Sequence, residues 1–466
     1  MTRSAWAVLL ACTLLPSRAG AQQARSAAER QVARDIFKQL IEINTTDSLG
    51  NTPRAARAMA QRLLAAGFPA ADVRVLIGPD ATHGNLVARY RGTGAGGAPI
   101  IVFAHLDVVP ARRADWSVDP FTFTEKDGYF YGRGTTDDKV GDAVLIANFI
   151  RLKHDRFKPT RDLILVLTGD EETNGSCIQW LVTKHRDLLD AGFALNTDAG
   201  GGVLRDGRRV MFQVQASEKV YATYVLEATD RGGHSSLPRP ADNPIYRIAA
   251  ALERLAHYQF PVQLNEVSRA FFERSAAIDT GQLAADERGV LKEPPDSTAV
   301  ARLSELPFYN SKLRTTCVAT MAAAGHAENA LPQSAQATVN CRILPSQPPE
   351  QVEAALQHLI ADDRITLRTI YEPIPSPPSS LTPAILGPLE KLVAAQFPGV
   401  PIVPVMEAGA TDGLFLRNAG IPTYGVSAVF EDQNDIRAHG RDERIGVESF
   451  YDAVEFWYQM MRAFAT

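Results

Sequence analysis

Ile100-Ile101-Val102-Phe103-Ala104-His105-Leu106-Asp107-Val108-Val109-Pro110 opens a stretch that closes at Gly132-Arg133-Gly134-Thr135-Thr136-Asp137-Asp138-Lys139. Five apolar residues bounded by turn signals read as a buried strand. His105 and Asp107 follow at i, i+2, so both side chains leave the strand end on the same side. An imidazole and a carboxylate in that relation suit a metal ligand and the group that orients it. A satisfied histidine at a strand terminus is the other reading that this fragment alone leaves open.

Outward from this stretch, apolar spacing predicts helices over 27–43 and 54–66 and short strands over 73–77 and 86–87. A helix over 142–153 and a buried strand over 163–167 follow. The alternation predicts an α/β class with a mainly parallel sheet flanked by helices. Past Asp198 the character changes: strand 220–229, helix 245–258, strands 315–323 and 335–343, helix 351–360, strand 365–370. With 261–312 set aside as a helical insertion, that order is β-α-β-β-α-β, a ferredoxin-like α+β unit. Helix 386–396, strand 401–405 and a terminal helix over 447–464 return to α/β. The second domain, 217–373, is therefore expected inside the first, 22–216 and 374–466, with the Pro/Ser run 373–378 as linker.

The chain has 466 residues, 45% hydrophobic and 22% charged, enough for two ordinary globular domains. Its net charge of −5 offers no basic field for nucleic acid. No apolar run reaches the length of a spanning helix. Residues 1–21 read as an export leader: Arg3, an apolar core over 5–15, and Ala19-Gly20-Ala21 as cleavage site. A mature chain from Gln22, periplasmic or secreted, follows. The alternative is a lipoprotein leader ending at Cys12, since Leu9-Leu10-Ala11-Cys12 loosely resembles a lipobox. Cys177, Cys317 and Cys341 then remain, an odd number. Cys317 and Cys341 lie equally far on either side of Asn329; a hairpin centred there brings them face to face for a disulfide.

Further acids sit where a sheet places ligands, beyond the carboxyl ends of strands. Asp170-Glu171-Glu172 follows strand 163–167, Asp198 follows Phe193-Ala194-Leu195, Asp137 and Asp138 are adjacent, and His439 precedes the terminal helix. Clustered carboxylates repel unless cations are present; a surface loop is the bland reading of the three acids. Two imidazoles with several carboxylates suit zinc, and more than four such groups suit two zincs sharing a carboxylate. A spare carboxylate is then needed to move a proton from water to the leaving nitrogen.

In combination, His-x-Asp, Gly-Arg-Gly-x-x-Asp-Asp-Lys, Asp-Glu-Glu, Gly233-His234-Ser235-Ser236 and the late His439-Gly440 resemble the dinuclear zinc aminoacylase and carboxypeptidase family. That family includes glutamate carboxypeptidase, succinyl-diaminopimelate desuccinylase and carboxypeptidase S. Glu218-Lys219, Val339-Asn340-Cys341-Arg342-Ile343 and Glu443-Arg444-Ile445 resemble the carboxypeptidase S branch. The resemblance implies a zinc-peptidase-like mixed sheet with the ferredoxin-like unit as lid, and two zinc ions per subunit, which cobalt or manganese can replace. It implies His105 and Asp198 on one ion, Glu172 and His439 on the other, and Asp137 bridging, with the Asp137–Asp138 peptide cis. Asp107 is implied to orient His105, Glu171 to act as general base, and His234 to donate to the developing oxyanion. Asn329, Arg342, Gly409, Thr411 and Asp412 match positions lining the substrate cleft. The implied substrate is a small peptide or N-acyl amino acid cut beside a free carboxylate, and related enzymes pair as dimers through the lid. Val220, Cys341 and Asp442 depart from the branch's usual residues, none of them at an implied ligand.

Overall fold

The computed structural model describes residues 18–466, with side chains from residue 26 onward. Cys12 and most of the expected leader lie outside the described residues.

Strand Ile100–His105 is buried at every position. It pairs in parallel with Leu163–Thr168 on one side and Phe193–Asn196 on the other, His105 opposite Thr168. These three lie inside a ten-stranded sheet. Gly84–Tyr90 and Val73–Ile77 extend it antiparallel at one edge. Towards the other, Arg208–Glu218 pairs parallel with Ile402–Glu407 and antiparallel with Gly201–Arg205. The sheet is thus parallel through the opening stretch and mixed beyond it.

Continuous apolar runs are what a strand covered on both faces requires. Ile100, Val102 and Ala104 face a core shared with Phe37, Phe149, Phe450 and Trp457, on helices Arg18–Ile41, Lys139–His154 and Val447–Ala465. Ile101 and Phe103 face the opposite way, onto Ile178 and Leu181 of helix Ser176–Lys184 and onto Phe415 and Leu416 of helix Gly413–Asn418. The central strands are therefore fixed from both sides, and their carboxyl ends cannot shift independently.

The second sheet runs in the order Thr316–Ala324, Ser334–Ile343, Val220–Thr229, Ile365–Thr369, every pair antiparallel. Helices Pro244–His257 and Pro349–Ile360 carry Ile248, Ala251, Val352 and Leu356 into its core. This is the ferredoxin-like arrangement expected of the sequence. Cys317 and Cys341 are register partners and form a disulfide; Cys177 is free and buried.

Two features differ from expectation. The 261–312 insertion is helical as foreseen, but it packs on the large sheet and not on the unit that contains it: Phe271 and Phe272 of helix Glu266–Ile278 meet Met211, Val403 and Val405. Those apolar side chains would otherwise face water. The eleven-residue strand Arg208–Glu218 was not legible, because buried Gln215, Ser217 and Glu218 interrupt its apolar pattern.

Candidate metal centre

His105 is the last residue of its strand, and Asp170-Glu171-Glu172 and Asp198 follow the two strands that flank it. Three parallel strand ends thus deliver an imidazole and carboxylates to one place. Asp137 arrives from the loop ahead of helix Lys139–His154, across an Asp137–Asp138 peptide that is cis. His439 arrives from the loop before the short strand Arg444–Gly446.

Asp137 lies between the two imidazoles. Its Oδ1 is 3.0 Å from His105 Nε2 and its Oδ2 is 3.0 Å from His439 Nε2. His105 Nε2 is also 3.7 Å from Asp198 Oδ1, and His439 Nε2 is 2.9 Å from Glu172 Oε2. Two groups of potential ligands result, His105–Asp137–Asp198 and Asp137–Glu172–His439, sharing Asp137. All five residues implied as ligands are brought together.

The behaviour of the charges fits a cation pair. Burial, reinforced by Asp137 and Glu172, pushes the Asp198 carboxyl up to about 7 against the pull of His105. Burial and the neighbouring Asp198 hold Glu171 well above the carboxylate range. Asp137 and Glu172 raise His439 to about 10. Burial alone would depress His105, yet Asp107, Asp137 and Asp198 hold it well above its ordinary value. Divalent charge placed among these groups relieves the repulsion that otherwise has to be met by protons.

Asp107 does more than the sequence suggested. Its backbone carbonyl is 3.1 Å from His105 Nδ1, which fixes the ring. Its carboxylate accepts the backbone N–H of Glu171 at 3.1 Å and of Glu172 at 2.9 Å. It therefore aims the acidic loop as well as the imidazole. The Glu171 carboxyl makes no hydrogen bond among the described residues and is left available beside the two groups.

The residues implied for substrate make contacts of their own, and Asp412 lies near enough to Glu171 to oppose its charge. His234 is exposed; its Nδ1 accepts the Ser236 backbone N–H at 3.2 Å. The Asn329 carbonyl accepts the Ser235 N–H, which places Asn329 beside that segment. The Arg342 guanidinium lies 4.6 Å from the Tyr221 ring centre and donates to the Ala408 carbonyl next to exposed Gly409. Thr411 and Asp412 are buried and turned inward: Thr411 donates to Glu218 at 2.9 Å, and Asp412 accepts from Thr168 at 2.5 Å.

A half-buried carboxylate shared between two imidazole-containing triads, beside the carboxyl ends of parallel strands, is the arrangement of a dinuclear metal-binding amide-bond hydrolase. The chain belongs to peptidase family M20/M25/M40, whose family profile matches residues 101–463. It is 30% identical over 379 residues to the N-fatty-acyl-amino acid synthase/hydrolase PM20D1 of Homo sapiens, covering 78% of this chain and 74% of that protein. It is 28% identical over 390 residues to the probable carboxypeptidase S-like 2 of Dictyostelium discoideum, covering 81% and 74%. The carboxypeptidase S branch is thereby supported. The structure of human carnosine dipeptidase 1 superposes with a TM-score of 0.70 over 97% of this chain and 99% of that one, at 15% identity, a likeness of fold.

Proposed function

We propose that the chain is an exported zinc hydrolase that cleaves an amide bond beside a free carboxylate, releasing the C-terminal residue of a small peptide. In this reading residues 22–216 and 374–466 form the catalytic body and 217–373 a lid. The observation that carries it is Asp137, whose two oxygens face two different imidazoles at 3.0 Å each. His105, Asp137 and Asp198 would hold one cation, and Asp137, Glu172 and His439 the other. Bound there, a pair of zinc ions supplies Lewis acidity and lowers the pKa of water into the neutral range. Cobalt and manganese suit the same nitrogen and oxygen donors.

Glu171 accepts the proton of the attacking water on its carboxylate and hands it to the leaving nitrogen. Asp107 keeps the Glu171 backbone in place while this happens. Arg342, whose planar fork matches a carboxylate, takes the free carboxylate of the substrate when the lid closes, and His234 donates to the developing oxyanion. Lids pair in a homodimer through the edge strand Thr316–Ala324, where Val318 and Met321 are 61% and 70% exposed.

A second reading, hydrolysis of N-acyl amino acids, is favoured by the likeness to the N-fatty-acyl-amino acid synthase/hydrolases. It uses the same residues and differs in what lies on the acyl side. Purified mature protein screened against dipeptides and N-acyl amino acids separates the two. Hydrolysis should vanish with a chelator and return with zinc. Hydrolysis indifferent to the chelator contradicts both readings.

A further inference from the structure

Glu443 and Arg133 are buried, and neither belongs to the two groups of potential ligands. One Glu443 oxygen accepts the backbone N–H of Thr136 at 2.8 Å, the Thr136 hydroxyl at 3.0 Å and the backbone N–H of Asp137 at 3.3 Å. The other oxygen accepts the backbone N–H of Gly134 at 3.2 Å and is ion-paired with Arg133. Arg133 in turn donates to the backbone carbonyls of His439 at 3.2 Å and Gly440 at 3.1 Å. The guanidinium lies 5.2 Å from the ring centre of buried Trp116, whose neighbour Ser117 donates its N–H to Asp442 at 2.7 Å.

Each end of this arrangement holds one ligand-bearing loop. Glu443 collects the turn that presents Asp137, and Arg133 collects the turn that presents His439. His439 itself has φ +62°, in the left-handed region that residues other than glycine adopt uncommonly. The first group of ligands depends on this bolt only through Asp137, since His105 and Asp198 are fixed at strand ends. The second depends on it through both Asp137 and His439.

We propose that the Arg133–Glu443 ion pair is a positioning device that sets the affinity of the second cation site, that of Glu172 and His439, in preference to the first. The inference rests on the two-cation reading above. Glu443→Gln keeps the shape and removes the charge that gathers the donors. Arg133→Lys keeps a charge near Glu443 and cannot fork onto two carbonyls and a carboxylate together. Partners of this kind typically change metal affinity about 10–100-fold when altered.

The test is stepwise zinc titration of chelator-stripped wild type, Glu443→Gln and Arg133→Lys, read by calorimetry and by competition with a chromophoric chelator. Thermal melting of the metal-free proteins is recorded alongside. Wild type binding two zinc ions per chain establishes the two-cation reading independently; binding fewer removes that reading and the inference with it. Given two ions, the expected result is weakening of the second-site constant in both variants, by about 10–100-fold in Glu443→Gln, with the first-site constant much less affected. Equal weakening at both sites, or unchanged constants at both, overturns the inference whatever the melting temperatures. Should Glu443→Gln fail to fold, Arg133→Lys decides by the same criterion.

Discussion

Replacing Glu171 by Gln separates catalysis from assembly. Glu171 belongs to neither ligand group, so both cations should remain bound. Its backbone N–H stays held by Asp107 in the variant, because that bond does not involve the side chain. What is lost is the group that moves the proton. General acid–base catalysis of this type contributes about 10²–10⁴-fold, or about 3–5 kcal/mol of barrier. The fold should gain in the exchange: burial and Asp198 already resist the charged form of this carboxyl, and a neutral amide removes that opposition. The expected result is a protein with two zinc ions, turnover reduced by about 10²–10⁴-fold, and a metal-free melting temperature no lower than wild type at pH 7. Metal content by plasma emission, initial rates and calorimetry supply the three readings. Turnover within tenfold of wild type, with metal retained, refutes the role assigned to Glu171.

Three further outcomes are expected. Asp107→Ala leaves the backbone donors of Glu171 and Glu172 without their acceptor, at about 1–3 kcal/mol of stability, and lowers zinc affinity about 10–100-fold; denaturant unfolding and metal titration check both, and unchanged affinity speaks against the aiming role. Asp198 in the metal-free protein holds its proton up to about 7, whereas the unfolded chain releases it near its ordinary value of 3.8. The folded state therefore binds more protons in that window, so Asp198 makes stability fall as pH rises from about 4 to 7, by up to about 1.4 kcal/mol per pH unit. Asp198→Asn should flatten this slope, and equal slopes in urea titrations of the two proteins contradict it. Reducing Cys317–Cys341, which are 24 residues apart, should remove about 3–4 kcal/mol on loop-entropy grounds; titration of denatured, unreduced protein beginning at Gln22, and so without Cys12, should find one free thiol, and three contradict the bridge.

The parts legible in the sequence share one physical origin. His105, Glu172 and Asp198 follow strands so uniformly apolar that their boundaries announce themselves, and polar residues placed there have few roles other than a site. The disulfide was legible from symmetry about Asn329, because a hairpin converts equal separation into register. Strand Arg208–Glu218 was hidden for the opposite reason. Its buried Glu218 is held by partners distant in the chain, ion-paired with Arg417 and accepting from Ser376 and Thr411, contacts that no local pattern announces. Separation in the chain also concealed Glu443, whose partners lie 306 to 310 residues away, and the clamp made by Asp107, whose partners lie 64 and 65 residues away. The insertion's attachment to the large sheet also depends on which apolar faces are left open, which periodicity does not specify.

The most direct test of the two-cation account is an anomalous-scattering map of crystals grown with zinc. Two ions about 3.5–4 Å apart are expected, each touching one oxygen of Asp137, one also held by His105 and Asp198 and the other by Glu172 and His439. A single ion, or a pair with Asp137 outside the coordination of either, contradicts it.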